Sequence, residues 1–135
     1  MVSRAEGRRD QDGWTLVELT IVISLITILA AIASVGYRSA IVRSKEAVLK
    51  EDLFQMREAI DQHYADKGEY PGTLEDLVTE KYLRRIPQDP LTGSVETWQT
   101  VLVDFNPSDP LAQGIFDVTS GSDGTALDGT LYVDW

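Results

Sequence analysis

The sequence predicts an α+β fold. A long N-terminal helix, able to span a membrane in its first half and amphipathic in its second, packs on a short helix and a small antiparallel C-terminal sheet. Three observations predict it. Residues 13–37 form an apolar run, GWTLVELTIVISLITILAAIASVGY. A helical stripe follows, with no Pro or Gly between Tyr37 and Lys67. Short stretches of strand-like composition with Asp-Gly pairs fill the C-terminal third.

The elements follow in chain order. Residues 1–13 are polar, with Arg4, Arg8 and Arg9 set against Glu6, Asp10 and Asp12. Residues 14–37 would rise about 36 Å as a helix, enough for a hydrocarbon core of about 30 Å. Leu49, Leu53, Met56, Ile60 and Tyr64 recur at spacings of three and four, one apolar face of a helix. Lys50, Glu51, Asp52, Arg57, Glu58 and Asp61 between them read as a solvated face. One helix is therefore expected from Trp14 to Asp66, about 80 Å long, stopped at Lys67-Gly68 because Gly is the preferred C-terminal cap. Thr73 with Asp76 reads as a capping box opening a second, short helix whose apolar face is Leu74, Leu77, Val78 and Tyr82. Residues 98–105, 114–119 and 130–135 are expected strands. Turns are expected at Asp123-Gly124 and Asp128-Gly129.

Composition narrows the function. The net charge of -10 argues against a nucleic-acid grip, which needs clustered Lys and Arg, and suits divalent cations. The chain has no Cys, which excludes disulfides, thiolate metal sites and Cys nucleophiles. No nucleophile elbow, phosphate loop or paired-carboxylate motif supports catalysis. The Arg-rich leader resembles the n-region of a secretory signal, and Ala31-Ile32-Ala33 leaves a signal-peptidase cut after Ala33 open. The leader places the N-terminus in the cytoplasm, although Arg38, Arg43 and Lys45 weaken the asymmetry. Glu18 is costly inside hydrocarbon, and such a residue usually marks function.

A polar leader ending in Gly13, then Trp14, then TLVELTIVISLITILAAIA, resembles the class III signal of type IV pilins and pseudopilins. KGEYPGTLEDLV, YLRRIPQDPLTG and DVTSGSDGT bring the resemblance closest to the major pseudopilin of type II secretion systems. It implies the pilin fold with four segments: a cleaved leader (1–13), a membrane or filament-core helix (14–37), its amphipathic continuation (38–67) and a periplasmic globular region (68–135). A prepilin peptidase would cut between Gly13 and Trp14 and methylate the new amine. Glu18 would pair with that methylated ammonium on a neighbouring subunit, setting filament register. The chain would be a single-pass inner-membrane protein with a cytoplasmic N-terminus and a periplasmic C-terminal region. It would polymerise with copies of itself and with minor pseudopilins on an inner-membrane secretion platform, to drive export of folded proteins. A type IV pilus subunit, or a membrane-anchored periplasmic enzyme or binding module, are the other readings.

The resemblance also implies calcium in the acidic C-terminal loop, which Asp-Gly spacing alone does not establish. Asp123, Asp128 and Ser120 are the expected ligands, with Asp117, Ser122 and Asp134 as further candidates. Two residues depart from the family pattern: Trp14 stands where Phe is usual, and Val35 where many members have Pro, leaving Gly36 as the weak point of the helix. His63 is expected to be a partly exposed helix residue without a metal partner. Tyr37, Tyr64 and Tyr70 read as packing residues. Arg84-Arg85 reads as a solvated turn, with contact to an acidic neighbouring subunit as the other option.

Overall fold

The computed structural model describes residues 9–104, 108 and 113–135, with side chains from residue 15 onward. Its elements are α1 (Arg9–Lys67), α2 (Leu74–Thr79), β1 (Gln99–Leu102), β2 (Ile115–Thr119) and a closing 3-10 turn, Tyr132–Asp134. The expected α+β class is the one observed. The chain forms two compact units, Met1–Ile41 and Val42–Trp135.

In the first unit α1 begins at Arg9, earlier than the expected Trp14, so Gly13 lies inside helix. Every side chain from Thr15 to Tyr37 is exposed. The hydroxyls of Thr20, Ser24, Thr27 and Ser34 donate to the carbonyls of Leu16, Thr20, Ile23 and Ala30 at 2.7–2.9 Å. Each thereby satisfies its own polarity one turn back and leaves an apolar surface. By length and composition the described part, Thr15–Lys67, is able to cross a membrane.

In the second unit the same helix is one-sided. Leu49, Leu53, Met56 and Ile60 are at most 2% exposed, and fully burying a side chain of this kind gains about 1.5–3 kcal/mol. The next residue on the stripe is His63, not Tyr64. The alternation of four and three from Leu49 reaches position 63, where the histidine is 3% exposed, while Tyr64 is 46% exposed and stacks on Tyr70 at 4.4 Å. The expectation of a partly exposed His63 is therefore wrong. α1 ends as expected: Gly68 has φ 75° and its N–H donates to the Tyr64 carbonyl at 2.8 Å.

α2 opens with the anticipated capping box. Thr73 Oγ1 accepts from Asp76 N at 3.2 Å, and Asp76 Oδ2 accepts from Thr73 N at 2.8 Å. Its apolar face closes the core: Leu74 and Leu77 join Trp98, Ile115, Val118, Ala126 and Tyr132 against α1. The Trp98 indole donates to the Pro87 carbonyl at 2.8 Å, fixing the loop after α2.

β1 and β2 pair antiparallel, from Gln99 opposite Thr119 to Leu102 opposite Ile115, with an irregularity between Val101 and Leu102. The expected continuation to Phe105 lies outside the described residues. The expected third strand does not form. Thr125 and Leu131 make a single bridge, and Asp134 and Trp135 then donate to the carbonyls of Leu131 and Tyr132. These local bonds use the groups a ladder would need. The aromatic composition serves packing instead: Tyr132 is buried and its ring meets Trp135 edge-on at 5.2 Å. Of the two expected turns, Asp128-Gly129 forms, with Gly129 at φ 89°. Asp123-Gly124 runs through a stretch with no turn.

Candidate assembly face and C-terminal loop

Two places carry the residues of interest. The first is the exposed apolar surface of α1. Leu16, Val17, Leu19, Ile21, Val22 and Ile23 surround Glu18, and all are 46–65% exposed. Glu18 is exposed with them, one carboxylate in an apolar run. In water such a surface is unfavourable at roughly 25 cal/mol per Å². A bilayer or a neighbouring helix removes that cost, so the surface is suited to burial by something other than its own chain. Gly36 meets nothing within 4 Å of a built Cβ.

The second place is the C-terminal loop. Ser120 is fully buried, and its hydroxyl donates to Asp89 Oδ2 at 2.6 Å while accepting from Ser122 N at 3.1 Å. Ser122 Oγ accepts from Gly124 N at 3.2 Å. Asp123 is exposed on this stretch, as is Asp134 in the 3-10 turn. Asp128 Oδ1 accepts from the Thr130 hydroxyl at 2.6 Å and its N–H at 2.9 Å. The Thr130 hydroxyl, more than any other neighbour, holds the Asp128 carboxyl below the usual carboxylate range. Asp117 Oδ1 forms an ion pair with Arg57 Nε at 2.6 Å. Ser120, Ser122, Asp117 and Asp128 are thus each tied into hydrogen bonds. Among the described residues no three His, Cys, Asp or Glu side chains are grouped to hold a metal. Calcium takes six to eight oxygens, partly carboxylate and partly main-chain carbonyl.

The sequence reading missed the residues that hold the loop down. Arg57, expected on the solvated face, donates to Asp117, to the Val118 carbonyl and to the Trp135 carbonyl. Lys50 lies 4.2 Å from the Trp135 ring centroid. Glu46 accepts from Leu127 N at 2.8 Å and the Tyr132 hydroxyl at 3.0 Å. Burial, then the Glu46 bond, raises the Tyr132 phenol above its ordinary range. Asp89, fully buried, also accepts from Leu91 N at 2.8 Å. An Asp bonding the N–H two residues on is a recognisable turn signature, so Asp89 was readable. Arg57 and Glu46 had no comparable signal, because their partners lie 60 and 81 residues away.

Beside α1, residues 82–87 border an open groove of about 480 Å³ lined by Asp52, Glu58, Tyr82, Arg84 and Arg85. Burial and the nearby Asp89 and Glu51 raise the Asp52 carboxyl, with Arg85 opposing. Both arginines are exposed.

A long helix with an exposed apolar first half and a second half built into a small α+β core defines a pilin-like protein. Comparison with known proteins narrows that class. The chain is similar to the fimbrial protein EcpC of Eikenella corrodens, 31% identical over 89% of this chain and 78% of that protein. It is similar to the type II secretion system core protein G of Pseudomonas aeruginosa, 32% identical over 62% of this chain and 70% of that protein. It is also similar to the core protein G of Klebsiella michiganensis, 28% identical over 87% of each. No family model and no solved structure matches the chain. The chain belongs to the family of type IV pilins and type II secretion pseudopilins.

Proposed function

We infer that this protein is a structural subunit of a type II secretion pseudopilus. The observation that carries the reading is the apolar, exposed first half of α1, in a chain similar along most of its length to type II secretion core proteins. Its work is assembly: the apolar half-helices of successive copies bury one another, and the small α+β unit is carried on the filament. Relatives of this kind fit a protein without catalytic activity.

The finer steps belong to the same proposal. The leader is removed between Gly13 and Trp14 by a prepilin peptidase, and the Trp14 amine is methylated. Glu18 then pairs with that ammonium on the next copy. A matched pair in a low-dielectric filament core costs far less than a lone charge, so growth is favoured in one register. Before assembly the subunit rests in the inner membrane, N-terminus cytoplasmic and C-terminal region periplasmic. Minor pseudopilins and the secretion platform are its partners. Calcium at the C-terminal loop would use the Asp123 carboxylate with neighbouring main-chain oxygens. A rise in Tm with calcium over chelator, lost in Asp123→Ala, supports that site; no rise removes it.

The fimbrial relative favours a second reading, a type IV pilus subunit. A deletion strain separates the two. Exported proteins retained in the periplasm support the secretion pseudopilus. Normal export with lost surface motility or DNA uptake supports the pilus.

A further inference from the structure

The apolar run of α1 ends at Tyr37 and is followed at once by RSAIVRSK, residues 38–45. That segment carries Arg38, Arg43 and Lys45 and no acid; between Glu18 and Glu46 the sequence has no Asp or Glu. All three cations are exposed, and none forms an ion pair among the described residues. Lys50, Arg57 and Lys67, further along the same helix, are engaged with Trp135, Asp117 and Glu80. Glu46, the next acid in sequence, is committed elsewhere. It accepts from Leu127 N at 2.8 Å and from the Tyr132 hydroxyl at 3.0 Å.

Orientation does not account for these cations. The rule that places basic flanks in the cytoplasm counts Lys and Arg on the two sides of a span. Here Arg4, Arg8 and Arg9 precede the span and Arg38, Arg43 and Lys45 follow it, an even balance. Removal of the leader after Gly13, as proposed above, leaves only the second group. Depth does account for them. Tyr37 stands at the edge of the apolar run, 69% exposed, and tyrosine is enriched at the membrane interface. At about 1.5 Å of rise per helical residue, Lys45 follows Tyr37 by about 12 Å. The headgroup layer outside the hydrocarbon is about 5–7 Å thick, and long Lys and Arg side chains bend back toward it. All three charges thus come within a Debye length, about 8 Å in physiological salt, of the lipid phosphates.

We propose that Arg38, Arg43 and Lys45 form a basic collar that binds the phosphates of anionic phospholipids and holds the subunit in the bilayer before assembly. The collar acts in the membrane-stored subunit proposed above and rests on that reading. Exposed charges at headgroup depth suit a fluid anionic surface, which asks for no fixed geometry. The acidic second unit of a neighbouring copy is the rival counter-charge. Lipid phosphate is favoured because the collar adjoins the span, and so meets headgroups in every membrane-stored subunit, with or without a neighbour. Each cation close to an anionic surface strengthens association about fivefold, and leaving the bilayer for a filament gives that up.

The test uses the full processed protein in phosphatidylcholine bilayers with a trace of spin-labelled lipid, whose electron spin resonance reads the fraction held at the protein surface. The collar predicts that labelled phosphatidylglycerol is held at least about fivefold more strongly than labelled phosphatidylcholine. Sodium chloride at about 1 M, where the Debye length is about 3 Å, should remove the preference. Arg38→Gln, Arg43→Gln and Lys45→Gln together should abolish it with melting unaltered, while Arg38→Lys with Arg43→Lys should keep it. Equal holding of the two lipids overturns the collar and leaves the span standing; holding of neither overturns the span, and with it the function proposed above. A preference that survives the triple Gln variant also overturns the collar, and lost filaments from that variant would then assign these cations to a neighbouring copy. A preference removed by inorganic phosphate but not by chloride at equal ionic strength marks a free-anion site and overturns it too. Should the triple variant not fold, the two lipids on the wild-type protein decide alone.

Discussion

One helix lives in two chemical worlds. Along the first half of α1, Leu16, Ile21, Ile26 and Ile32 are all more than half exposed, and none of the described residues of the unit covers them. Two turns into the second unit, Leu49, Leu53, Met56 and Ile60 are at most 2% exposed. The difference is one of pattern. Where apolar residues occur on all faces of the helix, a small unit does not cover them all, and the surface is suited to burial by lipid or by other copies. Where they take one stripe, α2, Trp98 and β2 are enough. Substitutions in the two halves should therefore fail in different assays, assembly for the first and folding for the second.

The largest effect is expected at Glu18. Glu18→Lys should leave membrane insertion intact and abolish filaments, because an uncompensated charge in a packed core costs about 3–5 kcal/mol per contact. Sheared-filament yield measures it, and normal filaments from this variant would remove the charge-pairing account. In the second half, Met56→Ala should cost about 2–5 kcal/mol of folding stability through the cavity it leaves. Thermal melting should register that loss while insertion is unchanged.

Glycines sharpen the contrast. A Cβ on Gly121 would lie 1.9 Å from the Thr97 carbonyl oxygen, so Gly121→Ala must move backbone and should cost about 1–3 kcal/mol. A Cβ on Gly36 would meet none of the described residues within 4 Å. Gly36→Ala should leave melting unaltered, and a loss of filaments from it would locate a neighbouring helix at that position. Smaller again, Arg57→Ala should cost about 1–2 kcal/mol, since its ion pair is partly solvated and its carbonyl contacts are replaceable by water. The smallest effect concerns acid. A carboxyl held below its ordinary value adds stability above that value and loses it as pH falls through the lowered one. Glu80 and Asp128 are such groups, both in the second unit. Melting of that unit should therefore weaken below about pH 4.5, and Glu80→Gln should flatten the change.

These halves were not equally legible in the sequence. The α1 span, its stop at Gly68 and the Thr73 capping box were readable, because each is written in residues within one or two turns of one another. The stripe was followed one position too far, to Tyr64, since a tyrosine looks more like core than a histidine does; the observed stripe turns to His63 because Glu69 and Glu80 answer its polarity. The third strand was a composition signal overruled by tertiary packing of Tyr132. The clamp of Glu46, Lys50 and Arg57 on the C-terminal segment joins residues far apart in sequence, where no local pattern reports it.

The central claim is that this chain becomes a filament subunit through its apolar half-helix, freed by a cut after Gly13. The most direct measurement is the intact mass of the subunit recovered from sheared filaments. The account predicts a chain beginning at Trp14 and heavier by one methyl group. A mass corresponding to the uncut chain, or to one beginning at Ser34, would contradict it.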